Sequence, residues 1–185
     1  MRQKREEWKQ TIGPELADKL VFLDESGINT DMTPIYGWGK RSERVVDNTP
    51  LNTPRTTTIL SSVRLNGEKV FITYTGGTTG TQFKAYLNDA LIPTLHPGDI
   101  VVMDNLRSHH VQGVEELLRQ NGITPLYLPP YSPDLNPIEK MWSKMKSCLR
   151  KGKVRTKEAL HAAVEAALLQ VTCDDIKGWF HASNY

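Results

Sequence analysis

The sequence has few of the residues that stabilise small secreted folds or zinc-binding folds. It contains two cysteines in 185 residues, Cys148 and Cys173, which lie too far apart to form a metal-binding pair. They provide no disulfide framework either. The five histidines show no ligand pattern with these cysteines. The sequence therefore disfavours both a disulfide-stapled protein and a zinc protein.

Long hydrophobic runs are also absent. No apolar stretch reaches the roughly 20 residues that a membrane-spanning helix needs. The N-terminal segment MRQKREEWKQ lacks the charged and then apolar pattern of a signal peptide. We therefore expect a cytoplasmic protein with no membrane partner, associated with the nucleoid if it binds DNA. The net charge of +2 and the apolar fraction of 38% are compatible with an ordinary globular chain.

Charge of one sign is concentrated in a single segment. Between residues 140 and 157 there is no acidic residue, and the basic ones are Lys140, Lys144, Lys146, Arg150, Lys151, Lys153, Arg155 and Lys157. The commonest structure of such a run is a solvated helix face. A surface that binds a polyanion is the alternative, and the sequence leaves both open.

The apolar patterns predict an α/β domain. Predicted strands cover residues 20–23, 56–65, 69–75, 99–105 and 123–128, with a hairpin turn at 66–67 and a further short strand at 36–40 within the loop 28–55. Predicted helices cover residues 81–95, 111–120, a long segment from 137 and 156–171, followed by one or two turns around 176–180. This order predicts a mixed sheet covered by helices.

Three acidic residues stand out by their positions. Asp24 and Asp104 end buried strands, and Glu139 begins the helix after the third such strand. Because sites in α/β sheets collect at the carboxyl ends of strands, we expect these acids to lie close together. Neighbouring carboxylates repel each other unless a cation lies between them, and Mg²⁺ prefers such oxygen ligands. The pattern therefore indicates a two-metal site for phosphoryl transfer.

Glu139 also has a purely structural interpretation. Asn136 is a good N-cap, Pro137 suits the first helical position, and Glu139 follows the cap by three residues, as in a capping box. Asp24 can similarly be interpreted as the cap of a turn.

Four residues that follow Asp104 or Glu139 in the sequence are assigned a structural role and no chemical one. His109 and His110 follow Asp104 closely, and we expect them to start a helix or to face solvent. Trp142 and Cys148 lie on the apolar stripe of the helix that begins near Pro137, so we expect both in the core.

Four segments together resemble the catalytic domain of DDE transposases. They are LVFLDESG, GWGKR, IVVMDNLRSHH and LYLPPYSPDLNPIEKMWSKMK, and they span most of the chain, from Leu20 to about Lys151. The resemblance is to the bacterial insertion-sequence branch of the mariner-like superfamily. Its last motif, a proline-rich loop followed by NPIE, is highly specific. The 34 residues between Asp104 and Glu139 are also typical of that group.

The resemblance implies a ribonuclease H-like (retroviral-integrase-like) α/β fold, with a mixed five-stranded sheet flanked by helices. Residues 20–151 would form the DDE catalytic domain. Residues 1–19 are expected to be an N-terminal extension or linker remnant, and residues 152–185 a C-terminal helical extension packed on the same domain. The implied activity is a metal-dependent DNA endonuclease and strand transferase, which cuts transposon ends and joins 3′-hydroxyls to target DNA.

The resemblance also assigns the site. Asp24, Asp104 and Glu139 would be the catalytic, metal-binding acids, holding two Mg²⁺ ions for which Mn²⁺ can substitute. The residues expected to support the acids are Glu25, Asn105 and Asn136, while Tyr131 and Ser132 would shape the rim with Asn136. The residues expected to contact DNA are Lys40, Arg41, Lys140, Lys144, Lys146, Arg150 and Lys151.

Members of this family usually carry N-terminal helix-turn-helix domains, for which residues 1–19 leave no room. We therefore expect a fragment or the product of a split gene, which works with a missing domain or a separate helix-turn-helix polypeptide. A homodimer is expected because two transposon ends must be paired. Two alternatives stay open, namely a non-catalytic DNA-binding or assembly module and another ribonuclease H-like nuclease.

Overall fold

A mixed five-stranded sheet forms the centre of the structure. The computed structural model describes residues 2–51, 55–106, 109 and 111–185. The strands are β1 Leu20–Ile28, β2 Thr57–Arg64, β3 Lys69–Thr75, β4 Ile100–Met103 and β5 Thr124–Tyr127. Their order in the sheet is β3-β2-β1-β4-β5. β1, β2 and β3 are antiparallel neighbours, whereas β1, β4 and β5 run parallel to one another.

Helices cover both faces of this sheet. Among the described residues they are α1 Arg2–Thr11, α2 Gly80–Tyr86, α3 Val114–Gln120, α4 Ile138–Gly152, α5 Lys157–Leu169 and α6 Cys173–Ala182. Short 3₁₀ turns occur at Pro14–Lys19, Ile92–Thr94 and Pro133–Leu135, and a π turn at Leu87–Leu91. None of the helices in this part of the chain is long and apolar enough to cross a bilayer.

The alternation of side chains along β1 divides the interior into two cores. Leu20 and Phe22 belong to the core formed with α1, α4, α5 and α6. Val21 and Leu23 belong to the core on the opposite face, under α2 and α3. Because successive side chains of a strand point to opposite faces, a strand buried on both sides must be apolar at every position. This explains the unbroken run of apolar residues from 20 to 23.

β1 extends beyond the position where the sequence predicted its end. The parallel pairing with β4 stops at Leu23 and Met103, but the antiparallel pairing with β2 continues to Ile28 and Thr57. The strand therefore continues through DESG because β2 still offers backbone partners there. Asp24 consequently lies inside β1, at the first position beyond the end of β4.

The prediction of a short strand at Tyr36–Lys40 is wrong. The described residues of the loop between β1 and β2 contain no strand, and Tyr36 and Trp38 are fully exposed. Gly37 and Gly39 weaken a strand, and the described strands form backbone pairs only with one another.

Two residues of the basic run hold this loop in place. Lys153 forms an ion pair with Asp47 at 2.6 Å. Arg155 donates hydrogen bonds from Nη1 to the carbonyls of Thr30 at 2.9 Å and Met32 at 3.0 Å. These two cations therefore serve the structure of the loop.

The C-terminal segment is more regular than the predicted one or two turns. α6 has ten residues and begins with a capping box between Thr172 and Asp175. Phe180 packs edge-on against Phe22, with ring centroids 5.4 Å apart. The tail thus completes the core beneath β1, and this contact could not be read from the local sequence.

The two ends of the described chain meet under the proline-rich segment. Trp8 Nε1 donates to the hydroxyl of Tyr185 at 2.9 Å, and this hydroxyl donates to the carbonyl of Leu135 at 2.8 Å. Both aromatic side chains belong to the same core. The division of the chain at residues 19 and 151 stays a prediction.

Tyr185→Phe should destabilise the protein, because it removes the hydroxyl that connects Trp8 to Leu135. Two buried groups then lose their partner, and we expect the free energy of unfolding to fall by about 2 kcal/mol. Urea denaturation measures this change. Tyr36→Phe is the matched control, since its side chain is exposed and should leave stability unaltered. Equal stability of both variants would contradict the prediction.

Candidate active site

An open cleft of about 470 Å³ lies at the edge of the sheet where β4 and β5 end. All three predicted acids line it. The lining residues are Asp24, Asp104, Asn105, Leu106, Leu128, Pro129, Pro130, Tyr131, Ser132, Pro133, Asn136 and Glu139. The structure therefore brings together positions from β1, from the ends of β4 and β5, and from the start of α4.

The sheet register places the first two acids side by side. Leu23 and Met103 are paired across the parallel strands β1 and β4, so Asp24 and Asp104 are the next residues on each strand. Glu139 comes from the first turn of α4 and is exposed. The negative charges of Glu139 and Asp104 both act on Asp24, which shows that the three carboxylates share one electrostatic environment.

Asp24 is buried and held on both oxygens. Its Oδ1 accepts a hydrogen bond from the Glu25 backbone N–H at 2.8 Å, and its Oδ2 accepts one from Trp142 Nε1 at 3.1 Å. Burial raises the pKa of Asp24 to about 7, and the charges of Glu139 and Asp104 add to this rise, while the two hydrogen bonds oppose it. In the absence of a cation, Asp24 is thus half-protonated near neutral pH.

His109 lies between two of the acidic side chains. Its Nδ1 is 2.8 Å from Asp104 Oδ1, and its Nε2 is 2.8 Å from Glu25 Oε2. Two carboxylates at this distance both require a donor, so the ring carries both protons as an imidazolium. Burial lowers the pKa of His109, but the hydrogen bonds to Asp104 and Glu25 outweigh it and raise the pKa to about 10.

The expectation that His109 faces solvent or starts a helix is therefore wrong. Its side chain is 0% exposed and stacks on Phe83 at 4.4 Å between ring centroids. A buried imidazole needs partners for both nitrogens, and Glu25 and Asp104 provide them. His110 lies outside the described residues.

The capping box that would give Glu139 a purely structural role is absent from α4. The helix begins at Ile138 after Pro137, with no side-chain capping hydrogen bond. The Asn136 N–H, which Glu139 would have to bind in such a box, donates instead to the Pro133 carbonyl at 3.1 Å. Glu139 is thus not engaged as a cap.

The two predicted supporting asparagines have different positions. Asn105 donates from Nδ2 to the Leu128 carbonyl at 2.5 Å, which ties the end of β4 to the start of the proline-rich loop. Asn136 lines the cleft, and its buried Oδ1 has no hydrogen-bond partner among the described residues.

The side chains of the cleft suit a hard divalent cation. Three carboxylates and the unpaired amide oxygen of Asn136 are oxygen donors, which Mg²⁺ and Mn²⁺ prefer and which do not favour zinc. Within the described residues, no three His, Cys, Asp or Glu side chains lie close enough together to form a metal-binding cluster. Asp24 and Asp104 are held instead by Trp142 and His109.

The predicted DNA-contacting cations are distributed over three places. Lys140, Lys144 and Lys151 line a second depression of about 490 Å³ between α4 and α6. Within it, Lys144 is paired with Asp175, and Lys140 donates to Ser183 Oγ at 3.1 Å. Lys40 and Arg41 are exposed on the loop between β1 and β2.

Lys146 and Arg150 occupy the side of α4 that faces the acids. Burial lowers the pKa of Lys146, the charge of Arg150 lowers it further, and the charges of Glu139 and Asp24 raise it. Residues 139, 146 and 150 lie on one face because their spacings of seven and four match helical turns.

Sequence reasoning missed the contributions of His109 and Trp142. His109 follows Asp104 by five residues and Trp142 follows Glu139 by three, so each lies near a predicted acid in sequence. Trp142 is indeed in the core, as expected, but its indole N–H also binds Asp24. The signal in the sequence that could have indicated this second role is the indole N–H, because a buried tryptophan usually finds a hydrogen-bond partner.

A mixed sheet with an acid-lined cleft at its edge is the arrangement expected of a DDE nuclease, and the family comparison identifies this class. The family model described as DDE superfamily endonuclease matches residues 19–161. Since this match covers most of the chain, the protein belongs to the DDE endonuclease superfamily. None of the curated proteins matches the chain.

Among solved structures, the chain is similar to the mariner transposase Mos1. The Mos1 strand transfer complex superposes with a TM-score of 0.78 at 16% identity, covering 97% of this chain and 57% of that one. The Mos1 mariner paired end complex with Mn superposes with a TM-score of 0.78 at 15% identity, covering 97% of this chain and 58% of that one. The catalytic domain of Mos1 mariner transposase superposes with a TM-score of 0.67 at 18% identity, covering 97% of this chain and 82% of that one.

These likenesses establish the fold. The mixed five-stranded sheet flanked by helices is that of the Mos1 transposase catalytic domain, so the expected ribonuclease H-like architecture is confirmed. The chain spans little more than half the length of the Mos1 chains in the two complexes.

Asp24→Asn should change how stability depends on pH in the metal-free protein. Between the unperturbed pKa of 3.8 and the folded pKa of about 7, the folded wild type keeps a proton that the unfolded chain has released. Wild-type stability relative to the variant should therefore fall as pH rises through this window, by up to about 4 kcal/mol. Urea denaturation with EDTA measures the difference, and parallel pH profiles would contradict it.

Proposed function

We propose that this chain is the catalytic domain of a mariner-like transposase from the bacterial insertion-sequence branch. It would cut DNA at transposon ends and join the freed 3′-hydroxyls to target DNA. The observation that carries the proposal is the shared cleft of Asp24, Asp104 and Glu139 in a chain of the DDE endonuclease superfamily. The NPIE motif supports the branch.

Asp24, Asp104 and Glu139 are the residues that would hold two Mg²⁺ ions, with Mn²⁺ as a substitute. Such ions, when bound, activate the attacking oxygen and stabilise the leaving oxygen of a phosphoryl transfer. Mos1 paired end complexes have been solved with Mg and with Mn, which supports this choice of cation. The buried amide oxygen of Asn136 offers a further neutral donor at the same cleft.

The surrounding residues would keep the acids in position. Trp142 binds one oxygen of Asp24, and His109 binds one oxygen of Asp104 while being held by Glu25. Each of these two carboxylates still has further lone pairs, because a carboxylate oxygen can accept more than one contact. Support of this kind fixes the direction in which a carboxylate is presented to a metal.

DNA would enter along the open side of the cleft. Lys146 and Arg150 lie on the same helix face as Glu139, so they are placed to bind the phosphates that flank the cleaved one. Lys140, Lys144 and Lys151 would bind a second stretch of backbone across the depression between α4 and α6, and Lys40 with Arg41 would extend the contact surface. Phosphate contacts of this kind are independent of sequence.

Partners of the chain follow from this function. The Mos1 structures include a paired-end complex and a strand transfer complex, which supports transposon ends and target DNA as partners. We propose a homodimer in the synaptic complex. End recognition would come from a helix-turn-helix domain or polypeptide, and the site of action would be the bacterial nucleoid. The comparisons with known families and structures lend no support to a non-catalytic module.

Asp104→Asn and Glu139→Gln should each abolish metal-dependent DNA cleavage. Both variants remove a charge that would bind metal at a partly exposed position, so they should leave the core and the fold intact. The measurement is nicking of supercoiled DNA with Mg²⁺ or Mn²⁺, together with thermal unfolding as the control for folding. Cleavage retained by a folded variant would contradict the assignment of that acid.

Replacing Lys146 and Arg150 together with Gln should weaken DNA binding and make it less dependent on salt. Loss of two phosphate contacts should reduce the slope of log K against log salt by about 2. Lys19→Gln with Lys177→Gln removes the same charge at exposed positions outside the cleft. Fluorescence anisotropy at several salt concentrations compares the two. Equal slopes would assign Lys146 and Arg150 to an ordinary solvated face.

A further inference from the structure

Tyr131 is an exposed aromatic residue at the mouth of the acid-lined cleft. The residue is part of the cleft lining, yet it is 85% exposed. Its neighbours in the lining are Pro129, Pro130 and Pro133, which form an apolar wall beside the acids. The mouth therefore offers a flat aromatic surface next to the carboxylates.

The backbone of Tyr131 is strained. Its φ is +56°, in the left-handed region that side chains as bulky as tyrosine rarely adopt. Such conformations persist when surrounding contacts enforce them, and they cluster at functional sites. Burial of the tyrosine ring does not explain this strained backbone conformation, because the ring is exposed.

Contacts from a distant part of the chain enforce the conformation. Arg5 in α1 donates to the carbonyl of Tyr131 at 3.4 Å and to Ser132 Oγ at 2.8 Å. The same guanidinium binds both oxygens of Asp134, at 2.9 and 2.6 Å. Ser132 is itself buried and donates to the Pro130 carbonyl at 3.3 Å. These side-chain hydrogen bonds take the place of backbone hydrogen bonds that the prolines of the loop cannot donate, because proline has no N–H.

We propose that Tyr131 stacks on a nucleobase next to the phosphate that is cleaved. This inference rests on the proposed function. An aromatic ring accepts the face of any base, so it suits an enzyme that must position DNA at a reacting phosphate. Arg5 and Ser132 hold the backbone that presents the ring, so little ordering is required when DNA binds. The apolar wall of prolines then lies beside the stacked base.

The test uses a short nicked duplex with 2-aminopurine on either side of the nick, in buffer with Ca²⁺. Stacking on Tyr131 should quench the fluorescence of one labelled position when wild-type protein binds. Tyr131→Phe keeps the ring and should keep the quenching. Tyr131→Gly should lose the quenching and bind the nicked duplex about tenfold more weakly, as expected for one lost stacking contact.

Tyr131→Gly also separates a binding role from a structural one. Glycine adopts positive φ without strain, so this variant should melt at the same temperature as wild type or higher. A purely structural tyrosine would therefore lose nothing on this replacement. Leu169→Ala is the matched control, since it removes an exposed side chain that does not line the cleft.

Unchanged quenching and affinity in Tyr131→Gly would overturn the proposal, as would a wild-type protein that quenches neither label. Cleavage of supercoiled DNA with Mn²⁺ distinguishes this failure from that of the proposed function. If the wild type cleaves DNA and Tyr131→Gly cleaves it with the same KM and kcat, the stacking proposal is refuted and the proposed function is not. A wild-type protein that neither binds nor cleaves DNA refutes both.

Discussion

The electrostatic cost of gathering carboxylates at one edge of a sheet is the constraint on which this structure depends. Asp24, Asp104 and Glu139 line one cleft, and Glu25 lies directly beside them. Without a cation the protein lowers this cost in two ways. It buries Asp24 so that its pKa rises to about 7, and it inserts the His109 imidazolium between Glu25 and Asp104. The first device depends on burial, whereas in the second the hydrogen bonds to Glu25 and Asp104 outweigh the effect of burial on the pKa of His109.

The two cores around the sheet make such burial possible. The core beneath α4 carries Trp142 to Asp24, and the core beneath α2 carries Phe83 to the ring of His109. Each acid is therefore supported from a different face of β1 and β4. A divalent cation in the cleft would bind the lone pairs that these contacts leave available on Asp24 and Asp104, and its charge would offset the repulsion between the carboxylates.

The proline-rich loop shows a different balance between stability and function. Its prolines remove backbone donors, so regular hydrogen bonding cannot hold it. Arg5 and the Trp8–Tyr185 pair bind the loop from outside, through Ser132, Asp134 and the Leu135 carbonyl. The strained Tyr131 is tolerated within this frame. Strain of this kind lowers stability, and its location at the mouth of the cleft is consistent with a role in binding.

The sequence by itself determined the strands, the helices around them and the acids at their ends, because these depend on local periodicity and on residue spacing. Its strongest motif also indicated the family to which the chain belongs. Only the tertiary structure decided which side chains support the acids. The contacts from Glu25 to His109, from Asp24 to Trp142 and from Arg5 to Asp134 join residues 84, 118 and 129 positions apart. β1 likewise continues past Asp24 because β2 pairs with it there. No local pattern encodes such contacts, since they depend on which elements the folded topology brings side by side.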